Sequence, residues 1–336
     1  MNVGVIGCGY WGPNLIRNFN AMDDVRVVAV SDKRKERLDF IGRQFPSIKI
    51  LTTDADEVLR STEVDAIVIA TPVSTHFSLG MEALENGKHL LIEKPFTATV
   101  DQAEKLIEVA EKKNLRLMVD HTFIYTGAVR TIKDYIESGQ LGDLYYFDSV
   151  RVNLGLFQHD VNVIWDLAPH DVSIMDYLLN RPPRAIAATG VAHFENSIEN
   201  IAYISSYYDD NLLGHIHVNW LAPVKVRKTL ISGSKKMVIY DDMEPSEKVK
   251  IYDKGIDVTH DKEAIYNVLI QYRTGDMLAP QIDLTEALKR VSAEFYQSIQ
   301  ENRAPLTDGH AGLRVVRILE AANKSIRTSG QVVELS

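Results

Sequence analysis

The sequence predicts an α/β protein in two parts: a doubly wound parallel sheet, then an α+β domain with a large, open, mostly antiparallel sheet. Three observations carry this. From Met1 to about residue 120, short runs that are apolar throughout alternate with helical patterns, as strands covered by helices on both faces require. Beyond residue 120 the runs lengthen and alternate apolar with polar side chains, which marks strands with one covered face and one open face. A chain of 336 residues also exceeds one ordinary core and suits two domains, here 1–120 and 121–336.

In the first part the strands read NVGVIG (2–7), VRVVAVSD (25–32), IKIL (48–51), DAIVIATP (65–72), HLLIE (89–93) and LRLMVD (115–120). Helical patterns lie between them at 12–21, 33–45, 54–61, 75–87 and 101–113, completing a βαβ series. In the second part a helix is expected over 127–138, closed by Gly139, and another over 166–180. Alternating strands follow at 143–155, 185–194, 200–208, 211–221, 226–234 and 236–242, with a polar turn at 209–211. Helices return at 283–301 and 310–328, the second stopping before Gly330.

Composition excludes several classes of function. The net charge of −9 argues against nucleic acid or an anionic membrane as partner, since both reward a basic face. A small molecule is the partner left. Cys8 is the sole cysteine, so no intramolecular disulfide and no cysteine-based metal site can form. No apolar run approaches the ~20 residues of a spanning helix, and Met1 leads straight into a strand; the cytoplasm is the expected location.

Four motifs carry chemistry. The first strand ends in GCGYWG, with Gly7, Gly9 and Gly12 in G-x-G-x-x-G spacing. Such glycines let the strand turn sharply into a helix, let a pyrophosphate approach bare amides, and let the helix pack closely on the sheet. Asp32 ends the second strand, 20 residues beyond Gly12, where an acid takes the ribose hydroxyls and repels a 2′-phosphate. NAD is therefore expected over NADP, although Lys33 and Arg34 follow and offer charge to that phosphate. ATPVSTH (70–76) ends the fourth strand, at the sheet edge where doubly wound folds bind ligands; His76 reads either as a cofactor contact or as a helix-start hydrogen-bonding group. Glu93-Lys94-Pro95 ends the fifth strand, so that Lys94 points toward the nicotinamide, unless it only pairs with Glu93. In WDLAPHD (165–171), Asp166 and His170 lie one helical turn apart, an arrangement in which a carboxylate orients an imidazole as a proton acceptor. Pro169 is tolerable there if it stands in the first turn. His215 and His217 share a strand face without an acid or cysteine at ligand spacing, so no metal site is expected.

Taken in order, GCGYWG, ATPVSTH, EKPF and D-x-x-x-H resemble the glucose–fructose oxidoreductase / inositol dehydrogenase / MocA family. The resemblance covers nearly the whole chain, including the closing GHAGLRVVRILEAANKSIRTSG. It implies a Rossmann nucleotide-binding domain, an open-sheet domain that commonly builds homodimers or homotetramers, and hydride transfer at a sugar or cyclitol ring hydroxyl. By motif the family's catalytic groups fall on Lys94, Asp166 and His170. Cofactor contacts are implied at Gly7, Gly9, Tyr10, Trp11, Gly12, Asp32, Thr71, Pro72, His76, Glu93 and Lys94. Substrate contacts are implied at Lys94, His121, Arg151, Asp166, His170, Lys225 and Arg227. Two departures stand out: Ala168 replaces a common glycine, and Ser173 a common acid. The resemblance is strongest to members that oxidise C3 of a UDP-linked amino sugar for surface polysaccharide or lipopolysaccharide. Arg151, Lys225, Arg227 and Lys228 would receive its diphosphate, or else form a solvated sheet face. A free-sugar or inositol dehydrogenase is the alternative enzyme, and a non-catalytic NAD-binding regulator the alternative of another class.

Overall fold

The computed structural model describes residues 1–155, 161–194, 198–258, 270–273 and 275–335. The chain divides into two compact units, one of residues 1–125 and 285–320 and one of 126–284 and 321–336. This differs from the expected 1–120 and 121–336. A late segment returns to the first unit, which sequence proximity does not reveal.

In the first unit, β1 (Asn2–Ile6), β2 (Arg26–Ser31), β3 (Ile50–Thr52), β4 (Ala66–Ile69), β5 (His89–Glu93) and β6 (Leu117–Asp120) form one sheet. Its order is β3-β2-β1-β4-β5-β6, and all its pairs are parallel. Helices α1 (Gly12–Asn20), α2 (Lys35–Gln44), α3 (Ala55–Leu59), α4 (His76–Glu85) and α5 (Val100–Lys112) connect the strands. The inner strands are apolar on both sides because both are covered: Val3, Val5, Ile67, Val68, Leu90 and Leu91 have no exposed surface.

In the second unit, α6 (Gly127–Glu137) is followed by β7 (Leu144–Leu154), α7 (Val163–Leu179), β8 (Ala185–Val191), β9 (Ile201–Tyr207), β10 (Leu213–Asn219), β11 (Leu221–Gly233), β12 (Met237–Asp241), β13 (Val249–Tyr252), β14 (Gly255–Val258), β15 (Ile270–Arg273) and β16 (Met277–Leu278). Then come α8 (Ala287–Gln300), which belongs to the first unit, α9 (Gly309–Arg327) and β17 (Val333–Glu334). Nine strands form one sheet in the order β16-β13-β12-β11-β7-β10-β9-β8-β17. Only β7 with β10 is parallel. The turn between β9 and β10 uses left-handed Asp210 and Asn211, a conformation these two side chains tolerate. The pattern at 249–278 and 333–334 escaped the sequence reading because these strands are two to four residues long.

Strand parity separates the faces of this sheet. Phe147, Ile204, Ile216 and Ile231 are buried, whereas Tyr203 is 44% and Leu213 41% exposed on the opposite parity. Arg151 shares the parity of Phe147 and is buried with it. There its Nε donates to Asp171 Oδ2 at 2.5 Å, and its Nη2 to Oδ1 at 3.3 Å. Ser149 Oγ donates to the same carboxylate at 2.7 Å. Since Asp171 belongs to α7 and Arg151 to β7, this pair ties the helix to the sheet.

Helix α7 also starts earlier than 166. Asn162 Oδ1 accepts from Trp165 N at 3.2 Å, supplying a cap that brings 163–165 into the helix. Pro169 therefore stands in the second turn, not the first, and has no N–H for the Trp165 carbonyl. An interior proline costs roughly 3 kcal/mol, here between Asp166 and His170. Asp171→Asn is expected to destabilise the protein by about 3 to 5 kcal/mol in denaturant unfolding, because it removes the opposite charge from a buried ion pair. A loss below about 1 kcal/mol would show the pair to be unimportant to α7.

Candidate active site

The carboxyl edge of the parallel sheet collects most of the residues singled out in the first unit. In strand order it carries Asp32 after β2, Gly7 to Gly12 after β1, Thr71 and Pro72 after β4, Glu93 and Lys94 at the end of β5, and Asp120 and His121 at the end of β6. The connections reverse on either side of β1, the position at which open sheets of this kind leave a crevice. Asp32 and Lys94 stand three strand spacings apart, roughly 14 Å.

The glycine turn has two demands of its own. A Cβ on Gly7, at φ +100°, would lie 2.5 Å from Ala70 O, and one on Gly12 would lie 2.1 Å from Gly7 O. Gly9 is different: a Cβ there meets nothing nearer than the Arg34 guanidinium at 3.9 Å, so protein packing does not explain it. It leaves open space against the start of α1, whose N-cap Trp11 offers no side-chain acceptor and whose first turn has no acid. Bare amides and open space suit a pyrophosphate. Tyr10 and Trp11 stand out from this turn, 83% and 38% exposed, with their rings edge to face at 5.4 Å.

Asp32 is not a bare acid. Its Oδ2 accepts from Cys8 N at 2.7 Å, and its Oδ1 from Arg34 N at 2.9 Å and Arg34 Nε at 3.1 Å. Burial pushes its pKa up, but the hydrogen bonds from Arg34 and Cys8 outweigh this and hold it below the ordinary value. Arg34 thus lies against the acid while its side chain stays half exposed. Burial, and then Asp32 itself, push the Cys8 thiol up to about 12, so it stays protonated.

His76 is 1% exposed. Its Nε2 lies 2.8 Å from Thr71 O and its Nδ1 2.9 Å from Pro95 O. The imidazole is enclosed by main chain and braces the turns after β4 and β5 against each other, the hydrogen-bonding role at a helix start that the sequence offered beside a cofactor contact. Burial lowers its pKa against the pull of those carbonyls. Glu93 is likewise buried, with Lys94 N donating to its Oε2 at 3.2 Å. His121 is 1% exposed, and burial first, then Lys94 and Arg314, bring its pKa down to about 3. Both of its ring nitrogens are buried without a hydrogen-bond partner among the described residues. Lys94, between these buried groups, is partly exposed.

The second unit holds Asp166 and His170 on one face of α7, one turn apart and both partly exposed. Trp220 Nε1 donates to Asp166 Oδ2 at 2.9 Å, fixing the carboxylate from the junction of β10 and β11. Sequence reading missed Trp220, since nothing local links residues 54 positions apart. It also missed Asp171, for which the parity of Arg151 was an available signal. Of the four basic residues expected to receive a diphosphate, Arg151 is corrected to a buried structural partner. Arg227 Nη1 donates to Asp242 Oδ2 at 3.1 Å, and Lys228 Nζ lies 3.2 Å from Asp241 Oδ2. Lys225 is exposed. On the open parity, Tyr203 stacks on His217 at 4.4 Å and lies 6.1 Å from His215. His215 Nδ1 lies 3.0 Å from Asp148 Oδ1, an acid brought in from β7 that sequence spacing hid. Among the described residues no group of three or more His, Cys, Asp or Glu is placed to hold a metal, and no helix is long and apolar enough to cross a membrane.

Comparison with known proteins agrees with this geometry. Residues 1–121 match the GFO/IDH/MocA oxidoreductase family, NAD-binding Rossmann fold, and residues 129–239 match the GFO/IDH/MocA C-terminal domain. The chain is 26% identical over 324 residues to a UDP-N-acetylglucosamine 3-dehydrogenase of Acidithiobacillus ferrooxidans, covering 94% of each. It is 24% identical to the scyllo-inositol 2-dehydrogenase (NADP(+)) IolW of Bacillus subtilis, covering 97% of this chain and 93% of that one. Levoglucosan dehydrogenase, solved with NADH and levoglucosan, has the same fold, with a TM-score of 0.84 over 99% of each chain at 18% identity.

Proposed function

Because the chain belongs to the GFO/IDH/MocA family of NAD-binding oxidoreductases, we propose that it is a sugar dehydrogenase acting at a ring hydroxyl, with Lys94, Asp166 and His170 as its working groups. The observation that carries this reading is the placement of Asp166 and His170 one turn apart on α7, with Trp220 donating to the carboxylate, a spacing that suits an imidazole to act as proton acceptor. The Gly7–Gly12 turn would hold the pyrophosphate and Asp32 the adenine-side ribose, with Lys94 displaced along the sheet edge toward the other end. Bound NAD supplies the hydride acceptor. His170 takes the hydroxyl proton, and Lys94 donates a hydrogen bond to that oxygen as negative charge develops.

For the substrate we favour a UDP-linked amino sugar oxidised at C3, on the similarity to the A. ferrooxidans enzyme across 94% of the chain. A free sugar or cyclitol is the second reading. It is favoured by the engagement of Arg151, Arg227 and Lys228 with Asp171, Asp242 and Asp241, which occupies three of the four cations a diphosphate would need. NADH absorbance with UDP-N-acetylglucosamine, glucose and inositol side by side separates the two.

Lys94→Ala and His170→Ala should each lower single-turnover NADH formation at least about 100-fold, with NAD affinity little changed and the melting temperature retained. Normal turnover by a stable Lys94→Ala protein would reduce Lys94 to a paired strand-end charge.

NAD should bind several-fold tighter than NADP. Asp32→Ala should narrow that gap, and Arg34→Ala should widen it by baring the acid to a 2′-phosphate. Equal titrations of the two cofactors in the parent protein would rule this out.

The open sheet face with Tyr203, Leu213, His215 and His217 supports a homodimer or homotetramer built through it. Light scattering at micromolar concentration is the check, and a monomer mass would refute it.

A further inference from the structure

One buried titratable cluster has no part in that mechanism. Glu93 and Asp120 are register partners at the ends of β5 and β6, 7% and 1% exposed, so their carboxyl groups meet away from water. Each has one oxygen already served: Lys94 N reaches Glu93 Oε2 at 3.2 Å, and Thr122 Oγ1 reaches Asp120 Oδ1 at 2.7 Å. The other two, Glu93 Oε1 and Asp120 Oδ2, receive no protein donor, although the two side chains are within hydrogen-bonding reach of each other. Two ionised carboxylates repel in that position; one proton between them supplies both orphan oxygens.

We propose that Glu93 and Asp120 hold a single proton between them at neutral pH and so present one negative charge that positions the Lys94 side chain. This rests on the reading of Lys94 as the group that meets the substrate oxygen. The charged and titratable groups facing the pair are Lys94 on the same turn, His121 next to Asp120, Tyr125 beyond it and Arg314 of α9. His121 is neutral and adds no charge. Burial, and for Glu93 also the charge of Asp120, push both carboxyls above their ordinary values, while Lys94 pulls the other way. With no proton two carboxylate charges would repel each other away from water, and with two protons the pair would offer Lys94 no charge. The shared proton stays on the pair while the substrate's proton goes to His170, so Glu93 and Asp120 are positioning residues.

The linkage has a definite sign. In the unfolded chain both carboxyls ionise in the ordinary range, whereas the native pair keeps its proton to higher pH. Its stabilisation is therefore complete below the unfolded values and is lost as pH rises through the native value of Glu93.

Infrared difference spectra of the full chain at neutral pH should show an un-ionised carboxyl band that disappears in Asp120→Asn, whose amide can donate to an ionised Glu93. The melting temperature of Asp120→Asn, relative to the parent, should rise as pH climbs from the ordinary carboxyl range toward the raised native value of Glu93. A missing band, a band that survives the substitution, or a melting difference independent of pH overturns the shared proton. For the positioning role, Glu93→Gln/Asp120→Asn retains no charge, so its loss of kcat should exceed the product of the two single losses by about tenfold. Additive losses overturn that role. The band and the melting shift are independent of what Lys94 does, so their failure is distinct from the failure of Lys94→Ala to lose turnover.

Discussion

A parallel sheet covered on both faces has nowhere to put polar chemistry except its carboxyl edge, and the first unit depends on that constraint. The middles of its strands are apolar, and the acids Asp32, Glu93 and Asp120 appear at or just after the carboxyl ends of β2, β5 and β6. Each acid is buried and each is served by a neighbour: Asp32 by Cys8 N and Arg34, Glu93 by Lys94 N, Asp120 by Thr122. Burial of this kind costs several kcal/mol per charge unless donors or a shared proton compensate. The edge is thus a row of buried acids with donors supplied by their neighbours, and Lys94 stands partly exposed in their midst.

The second unit solves a different problem, how to hold a helix against one side of an open sheet at fixed height. Apolar packing, as of Met175 against Gly214 of β10, gives α7 its affinity for the sheet, but packing alone is non-directional. The buried Arg151–Asp171 pair adds direction, since it is satisfied in one placement only. Asp166 and His170 lie within a turn of Asp171, so what fixes the helix also fixes them. The interior Pro169 weakens the helix at the same point, and rigid tertiary anchors from Arg151 and Trp220 offset that weakness.

The two units differ in how openly they declare themselves. The six strands of the first unit, the five helices that connect them and the glycine turn follow from local rules: apolar runs, caps at Asp54 and Thr99, and glycines whose Cβ would strike a carbonyl. The fitted phosphate turn and the acid after β2 were legible for the same reason. The positions of Lys94 at a strand end and of Asp166 one turn from His170 also needed only chain-local geometry.

Tertiary structure decided which of those side chains face outward. His76 and Arg151 carry the same residue types as a working site, yet burial against main chain or an opposite charge makes them braces. Glu93 meets Asp120 only because β6 lies beside β5, and Trp220 meets Asp166 across 54 residues. Residues 285–320 join the first unit by packing, as with Phe295 against Phe19, not by proximity in sequence. Local sequence determines backbone path, periodicity and the chemistry on offer, because these depend on near neighbours and dihedral preferences. Whether a charge is solvated, paired or sharing a proton depends on what the fold brings beside it, and no short stretch of sequence contains that partner.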